Sequence, residues 1–464
     1  MNWLRRAPGG RILTFCAACV TIAPGTQMLQ AQDFGRAANF IDPTASERGG
    51  VHLYSVTAGV NYYSTGIPTL AMVPVAASSS DVSLDVSAAF GWTKRLSGSS
   101  FSVTFTPSYF AEVRNSSFHI FDPGLSLNWS ANPHTGRWKF TFSGSGAVRT
   151  LHDSMFNPTL ASTLASAPIS FDDLAAAALQ GQVTNGQLAS VLTGSPVSPA
   201  APLGFYLYGY RYFSGYLAAN LGYAVSSRLN VGVTVQGSEN IHLSNPTGIS
   251  SAAYPSLLNS TTAAGVSLAV DYSLDSRTTL SGAVATSKMF GGFQNYAPVT
   301  ADVNLSRRMS RRWFLRLHGG GGTIVPFGVE NAVRTAIQYA AGGGLGYKTY
   351  THTLLASVDR RIGDTYGIGA GNSMLTTAAW SWKRPGRSWW AQSSLSQQRL
   401  SGGPIGNPSS WQATGGVGWK LTRHTSVQAQ YSYLKYSGLA SLAALSESVV
   451  RMVVTWQPKA GPDQ

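Results

Sequence analysis

The feature that most restricts this chain is a period-two alternation of apolar and polar residues that returns in segment after segment from about Val51 to the C-terminal end. Trp138, Phe140, Phe142 and Val148 share one parity, and Lys139, Thr141, Ser143, Ser145 and Arg149 share the other. Phe101, Val103, Phe105 and Tyr109 alternate with Ser102, Thr104, Thr106 and Ser108, and Val82, Leu84, Val86 and Phe90 alternate with Ser83, Asp85 and Ser87. Alternation of this kind is the mark of a strand with one oily and one polar face. A run of about 18 apolar residues, which a membrane helix would need, is absent after the N-terminal region. Charged residues make up 11% of the chain against 44% hydrophobic, a balance that suits a soluble protein poorly. The 50 glycines, 20 tyrosines and 12 tryptophans suit many strands and turns.

The first residues read differently. Arg5, Arg6 and Arg11 give a basic start, Ile12 to Ala23 an apolar stretch, and Leu29-Gln30-Ala31 a small-residue cleavage site, the layout of a secretory signal over residues 1–31. Both cysteines, Cys16 and Cys19, lie inside it, so the mature chain carries no thiol or disulfide chemistry. Acylation at Cys19 is disfavoured, because Cys16 stands where lipoprotein signals usually have leucine. Removing these residues leaves 433 of 464 and lowers the net charge from +14 to +11. A basic exported chain meets anionic lipid headgroups or anionic solutes before it meets nucleic acid, and no nucleic-acid partner is expected.

A soluble sandwich also alternates, so the aromatic positions have to discriminate. Trp92, Trp129, Tyr223, Tyr272, Tyr347, Trp382, Trp419 and Trp456 all take the oily parity just before a short turn. This is the pattern of an interfacial girdle, with rings half in hydrocarbon and half wet. The turns that follow are short and often basic, such as Lys94 to Gly98, Asn132 to Gly136, Ser226-Ser227-Arg228, Asp275-Ser276-Arg277, Lys383 to Arg387 and Thr422-Arg423-His424. The opposite connections are longer. The rule gives eighteen strands between Val51 and Trp456, or sixteen if Leu203 to Tyr212 is loop, with both termini on the periplasmic side. The expected fold is all-β: a closed, antiparallel, up-and-down transmembrane barrel over 51–456, with a short segment 32–50 before it and a periplasmic tail 457–464 after it.

On its last strand, Val450, Met452, Val454 and Trp456 resemble the aromatic-ended signal read by the outer-membrane assembly machinery, here followed by Gln457 to Gln464. Across the barrel, the architecture resembles Gram-negative outer-membrane porins, nearest in size to sixteen- to eighteen-stranded channels. The resemblance implies a place in the cell outer membrane, contact with its lipids, passage of small polar solutes or saccharide chains, and a homotrimer as one assembly of that class.

A barrel this wide is a channel unless something fills it. The candidate is the long third outer loop, 150–211, where Ser170-Phe171-Asp172-Asp173 caps a helix over Leu174 to Leu179 and a second helix runs from Gln187 to Leu192. In the porins that the chain resembles, this loop folds inward as a constriction, which would present Asp153, Asp172 and Asp173. Strand parity places Arg149, Arg316, Arg361 and Arg451 inside with Asp85, Asp271, Asp302 and Asp359, and puts Glu112 and Arg114 together near a strand end. Two readings follow for this pore lining: arginines that favour anions, or bases and acids that neutralise one another. About half of the mature basic residues, including Arg307, Arg308, Arg311 and Arg312, belong to periplasmic turns, where they meet water and lipid headgroups. Gly319 to Gly322 and Gly342 to Gly344 would leave a bare patch of wall.

No nucleotide loop, zinc motif or nucleophile elbow occurs. His152-Asp153-Ser154 is too local to form a catalytic set, since adjacent strand residues point alternately. Neither an enzyme nor a cofactor or metal is expected. With only Gln32 to Gly50 ahead of the first strand, a plug domain is also not expected. The leading expectation is a passive channel for polar solutes, anions or saccharides among them. The alternatives are an export conduit for an acidic polysaccharide, as in alginate-type exporters, and a closed barrel serving as adhesin or scaffold. Phe314 and Trp390 have inward parity but do not form a sugar-stacking track.

Overall fold

The computed structural model describes residues 51–66, 80–96, 98–113, 119–131, 136–150, 211–244, 260–291, 295–326, 337–364, 370–384, 386–401, 406–439 and 445–458. The expected signal region, the segment 32–50, Arg114, the long loop with Asp153, Asp172, Asp173 and its two expected helices, and most of the tail lie outside the described residues. So does His152-Asp153-Ser154.

All regular structure among the described residues is strand. The first nine are β1 Val51–Gly66, β2 Ser80–Leu96, β3 Ser99–Glu112, β4 His119–Ala131, β5 Trp138–Thr150, β6 Arg211–Ala224, β7 Leu229–Ser244, β8 Thr261–Ser273 and β9 Thr278–Gly291. The next nine are β10 Tyr296–Arg308, β11 Trp313–Pro326, β12 Gln338–Lys348, β13 His352–Asp364, β14 Ala370–Lys383, β15 Trp389–Ser401, β16 Gly406–Lys420, β17 Thr425–Leu439 and β18 Leu445–Trp456. Each strand pairs antiparallel with its sequence neighbours, and β1 pairs with both β2 and β18, so the 18-stranded sheet closes on itself. The strand count is eighteen rather than sixteen, with β6 beginning at Arg211. At 11 to 17 residues the strands reach or exceed the roughly 9–11 that a tilted strand needs to cross a bilayer.

Alternation decides which face is which. Leu84 and Val86 are 48% exposed on the outside while Ser83 between strands is fully buried, and Val303 is 54% exposed beside Asp302 at 5%. Large apolar side chains such as Val284, Leu395, Val417 and Met452 stand outward around the ring, and serines, threonines, amides and charges stand inward. A soluble fold would hide the oily face in a core. Here the face forms a continuous outer belt, which only a hydrocarbon surrounding accommodates.

Two turn chemistries close the shorter rim. In the turns after β6, β10, β12 and β16, a hydroxyl oxygen of Ser226, Ser310, Thr349 or Thr422 accepts the N–H groups two and three residues on. Asp275 does the same for the Arg277 N–H at 2.6 Å after β8, and this bond holds its carboxyl below the usual carboxylate range. The turns after β2, β4 and β14 instead use Gly98, Gly136 and Gly386, with φ of 76°, 66° and 75°. Only glycine enters that region without a Cβ penalty.

The eight aromatics expected as a girdle all sit at this rim. The residue opposite several of them, on the strand that starts there, is also aromatic: Trp138 meets Tyr223 at 4.5 Å between ring centroids, Trp313 meets Tyr347 at 4.6 Å, and Trp389, in register with Trp419, also packs 4.1 Å from Trp382 across the turn. These starting-strand partners were not evident from the sequence, because they follow the turn instead of preceding it.

Candidate functional site

The inward wall is the candidate site. Asp85 on β2, Asp271 on β8, Asp302 on β10, Arg316 on β11, Asp359 on β13 and Arg451 on β18 all share the parity of buried or half-buried polar neighbours that face the lumen. Glu112, Arg149 and Arg361 lie in β3, β5 and β13, where their side chains are not among the described ones.

Three of these charges fall into two pairs. At the closure seam, Arg451 Nη2 donates to Asp85 Oδ2 at 2.6 Å, reaching from β18 across β1 to β2. The strand between carries Gly59 opposite Asp85, where a Cβ would meet the Asp85 carboxylate. Asn61, two residues on, donates through Nδ2 to Asp85 Oδ1 at 2.8 Å and to Ser83 Oγ at 3.1 Å. Across the ring, the His318 Nε2 of β11 is 2.8 Å from Asp359 Oδ1 of β13. Gly342 of β12 lies between them, and a Cβ there would collide with both groups. In each case a base and an acid two strands apart join above a glycine.

Several other inward glycines act likewise, whereas Gly222 and Gly232 have no neighbouring atom nearer than 3.7 Å to a Cβ position. Asp302 lies over Gly320, Tyr54 over Gly91, Phe314 over Gly346 and Trp390 over Gly418. The expected bare patch on β11 and β12 is thus filled: polar and aromatic side chains of neighbouring strands lie flat in the space that the glycines leave. Flattening explains the burial of the charges, with Asp359 at 1%, Asp302 at 5%, Arg451 at 7% and Arg316 at 9% exposure. Phe314 and Trp390 are inward, as parity requires, yet they line the wall and do not project from it.

Exposure is uneven around the ring. From β9 round to β2 most inward side chains are buried, including the amides Gln392, Gln398, Gln412 and Gln430. From β3 to β8 most are half-buried, and Thr106, Lys139 and Asn230 are exposed. This more open arc carries small uncharged groups at mid-strand: Ser102, Ser126, Ser143, Asn220, Thr234 and Ser267.

Parity selected Asp85, Asp271, Asp302, Asp359, Arg316 and Arg451, and it passed over the buried inward acids Asp122 of β4 and Glu447 of β18. It missed His318, Asn61 and the glycine seats. His318 follows Arg316 by two on the inward parity, and that spacing was the available signal.

No protein-family model and no curated protein matches the sequence. Among solved structures the chain is similar to OccK2 (OpdF) of Pseudomonas aeruginosa in complex with glucuronate, at 8% identity over 89% of this chain and 99% of that one, with a TM-score of 0.45. It is similar to the outer membrane protein OpdK of the same organism, at 9% identity over 88% of this chain and 98% of that one, with a TM-score of 0.42. Acinetobacter baumannii OccAB2 is similar at 8% identity over 88% and 98%, with a TM-score of 0.44.

Proposed function

We propose that this protein is a passive outer-membrane channel for small polar solutes, with uncharged hydroxylated solutes preferred over ions. The observation that carries the reading is a closed barrel with an apolar outer belt and a polar inner wall, one arc of which is open and carries hydroxyls and amides at mid-strand, with Lys139 and Asp271 nearer the shorter rim. In lipid, a sheet must close to satisfy its backbone, and eighteen strands enclose more space than wall side chains alone fill.

Of the two charge readings that parity allowed, pairing is the better supported. Arg451 is neutralised by Asp85, and Asp359 is bonded to His318. A charge buried beside its counter-charge projects little field into the lumen, so these two pairs add little to any selectivity for a passing ion.

Planar-bilayer recording tests both parts. Purified protein is expected to open steps of conductance, and in a tenfold potassium chloride gradient its reversal potential is expected to lie near zero. Absence of any conductance would remove the channel reading. Conductance with strong anion selectivity would retain the channel and remove the neutral lining.

A further inference from the structure

A second site stands on the opposite face of the wall, toward lipid, and it is independent of what passes through the lumen. At the long-loop end of β12 to β17 the apolar belt is interrupted by a row of outward bases. Arg360 of β13 and Arg399 of β15 flank Met374 of β14 in register, and Lys435 of β17 lies one strand beyond Trp411 of β16. Two strand spacings put the Arg360 and Arg399 backbones about 10 Å apart. Among the outward side chains described on these six strands none is acidic, and Asp364, four residues beyond Arg360 on the same parity, ends β13.

The bases are held in place. The Arg360 guanidinium stacks 3.8 Å from the Tyr339 ring centroid, and its Nη1 donates to Tyr339 Oη at 2.6 Å. Its Nε is buried and has no hydrogen-bond partner among the described residues. Gln397 stands two residues before Arg399 on the same face. In the amide orientation that satisfies both groups, its oxygen accepts from Arg399 Nη2 at 3.1 Å and Nε at 3.3 Å. Trp411 and Tyr433 pack beside them with centroids 5.1 Å apart, and Met374, 41% exposed, provides an apolar floor between the two arginines.

A cation on the lipid face carries a depth-dependent penalty, small only near the headgroups. Two guanidinium groups preset by an aromatic and an amide, with apolar surface between them, match an anionic headgroup that continues into acyl chains. Arginine forks suit phosphate oxygens in particular. We infer that the outward row Arg360, Arg399 and Lys435, with Trp411 and Tyr433, is a binding site for a phosphate-bearing lipid headgroup in the leaflet at the long-loop end.

The test uses full-length protein in zwitterionic nanodiscs, with lipid A, phosphatidylcholine and inorganic phosphate as probes and bound lipid read by native mass spectrometry. The parent is expected to retain lipid A over phosphatidylcholine, and Arg360→Gln/Arg399→Gln to lose at least tenfold in retention, the effect of even one charge-assisted contact. Arg384→Gln/Lys420→Gln, at the other rim, is the comparison and is expected to match the parent. Should the double variant not fold, Arg399→Gln alone, on an exposed side chain, carries the same comparison with a smaller loss. Equal lipid A retention by parent and variant overturns the inference. Full displacement of lipid A by millimolar inorganic phosphate also overturns it, because the site would then bind a bare anion and not a lipid.

Discussion

Breaking the Arg451–Asp85 pair should cost far more than a surface ion pair does. The two groups lie at 2.6 Å with side-chain exposures of 8% and 17%, so each has given up most of its water. Two charges about 4 Å apart at an effective dielectric of about 20 attract by about 4 kcal/mol. Removing one partner strands the other, a loss of about 3–5 kcal/mol for buried pairs. Arg451→Gln leaves Asp85 with the Asn61 N–H at 2.8 Å, so the low end of that range, about 3 kcal/mol, applies. Asp85→Asn leaves the more buried guanidinium, so the cost is about 4 kcal/mol. In the double variant, glutamine and asparagine bury no charge, and the loss should not exceed that of the worse single change. The coupling is then about 3 kcal/mol. Urea unfolding in lipid vesicles, followed by tryptophan fluorescence and by gel mobility of unheated samples, gives the three values. If the single costs simply add, with coupling below about 0.5 kcal/mol, the two groups do not form a desolvated pair and the argument for a self-neutralised wall fails with them.

Gly342→Val would drive a Cβ into His318 and the Val358 carbonyl and is expected to lower stability by about 1–3 kcal/mol, whereas Gly282→Ala, with open space around its Cβ position, should stay within about 0.5 kcal/mol in the same unfolding assay. Trp389→Ala removes the ring 4.1 Å from Trp382 and should cost at least the pair's about 0.5–1.5 kcal/mol, seen as a lower urea midpoint. Asp275 has a lowered folded-state pKa, so its contribution is present above the unfolded carboxylate pKa and is lost as pH falls through the folded one. Asp275→Asn should therefore lose that part of the acid-limb dependence, and a titration of stability that is superimposable on the parent's would count against the turn bond.

The fold was legible because its period is two and its surroundings invert the soluble pattern. Parity pointed to an inward set, the aromatic positions marked one rim, and Ser226 and Thr422 each opened a short turn that needs no glycine. What parity cannot give is which residue lies opposite which. Gly342 between His318 and Asp359, or Gly59 beside Asp85, follows from interstrand register, which depends on loop lengths and on the closure of the whole ring. The glycines on β11 and β12 consequently read as empty wall, when their neighbours' side chains fill them. The outward bases Arg360 and Arg399 were hidden for the same reason, since 39 residues of sequence separate positions that share one row across β14.

The seam pair also bears on how the ring finds its alignment. Backbone hydrogen bonding between β18 and β1 would survive a slip of two residues, and the oily and polar faces would stay correct, so neither force selects the register on its own. Arg451 and Asp85, 366 positions apart in the chain, meet in one alignment and above one glycine. A slip of two leaves two desolvated charges unmatched. The pair thus works as a key for the joint that closes the ring, discriminating between closures that the rest of the wall would accept equally.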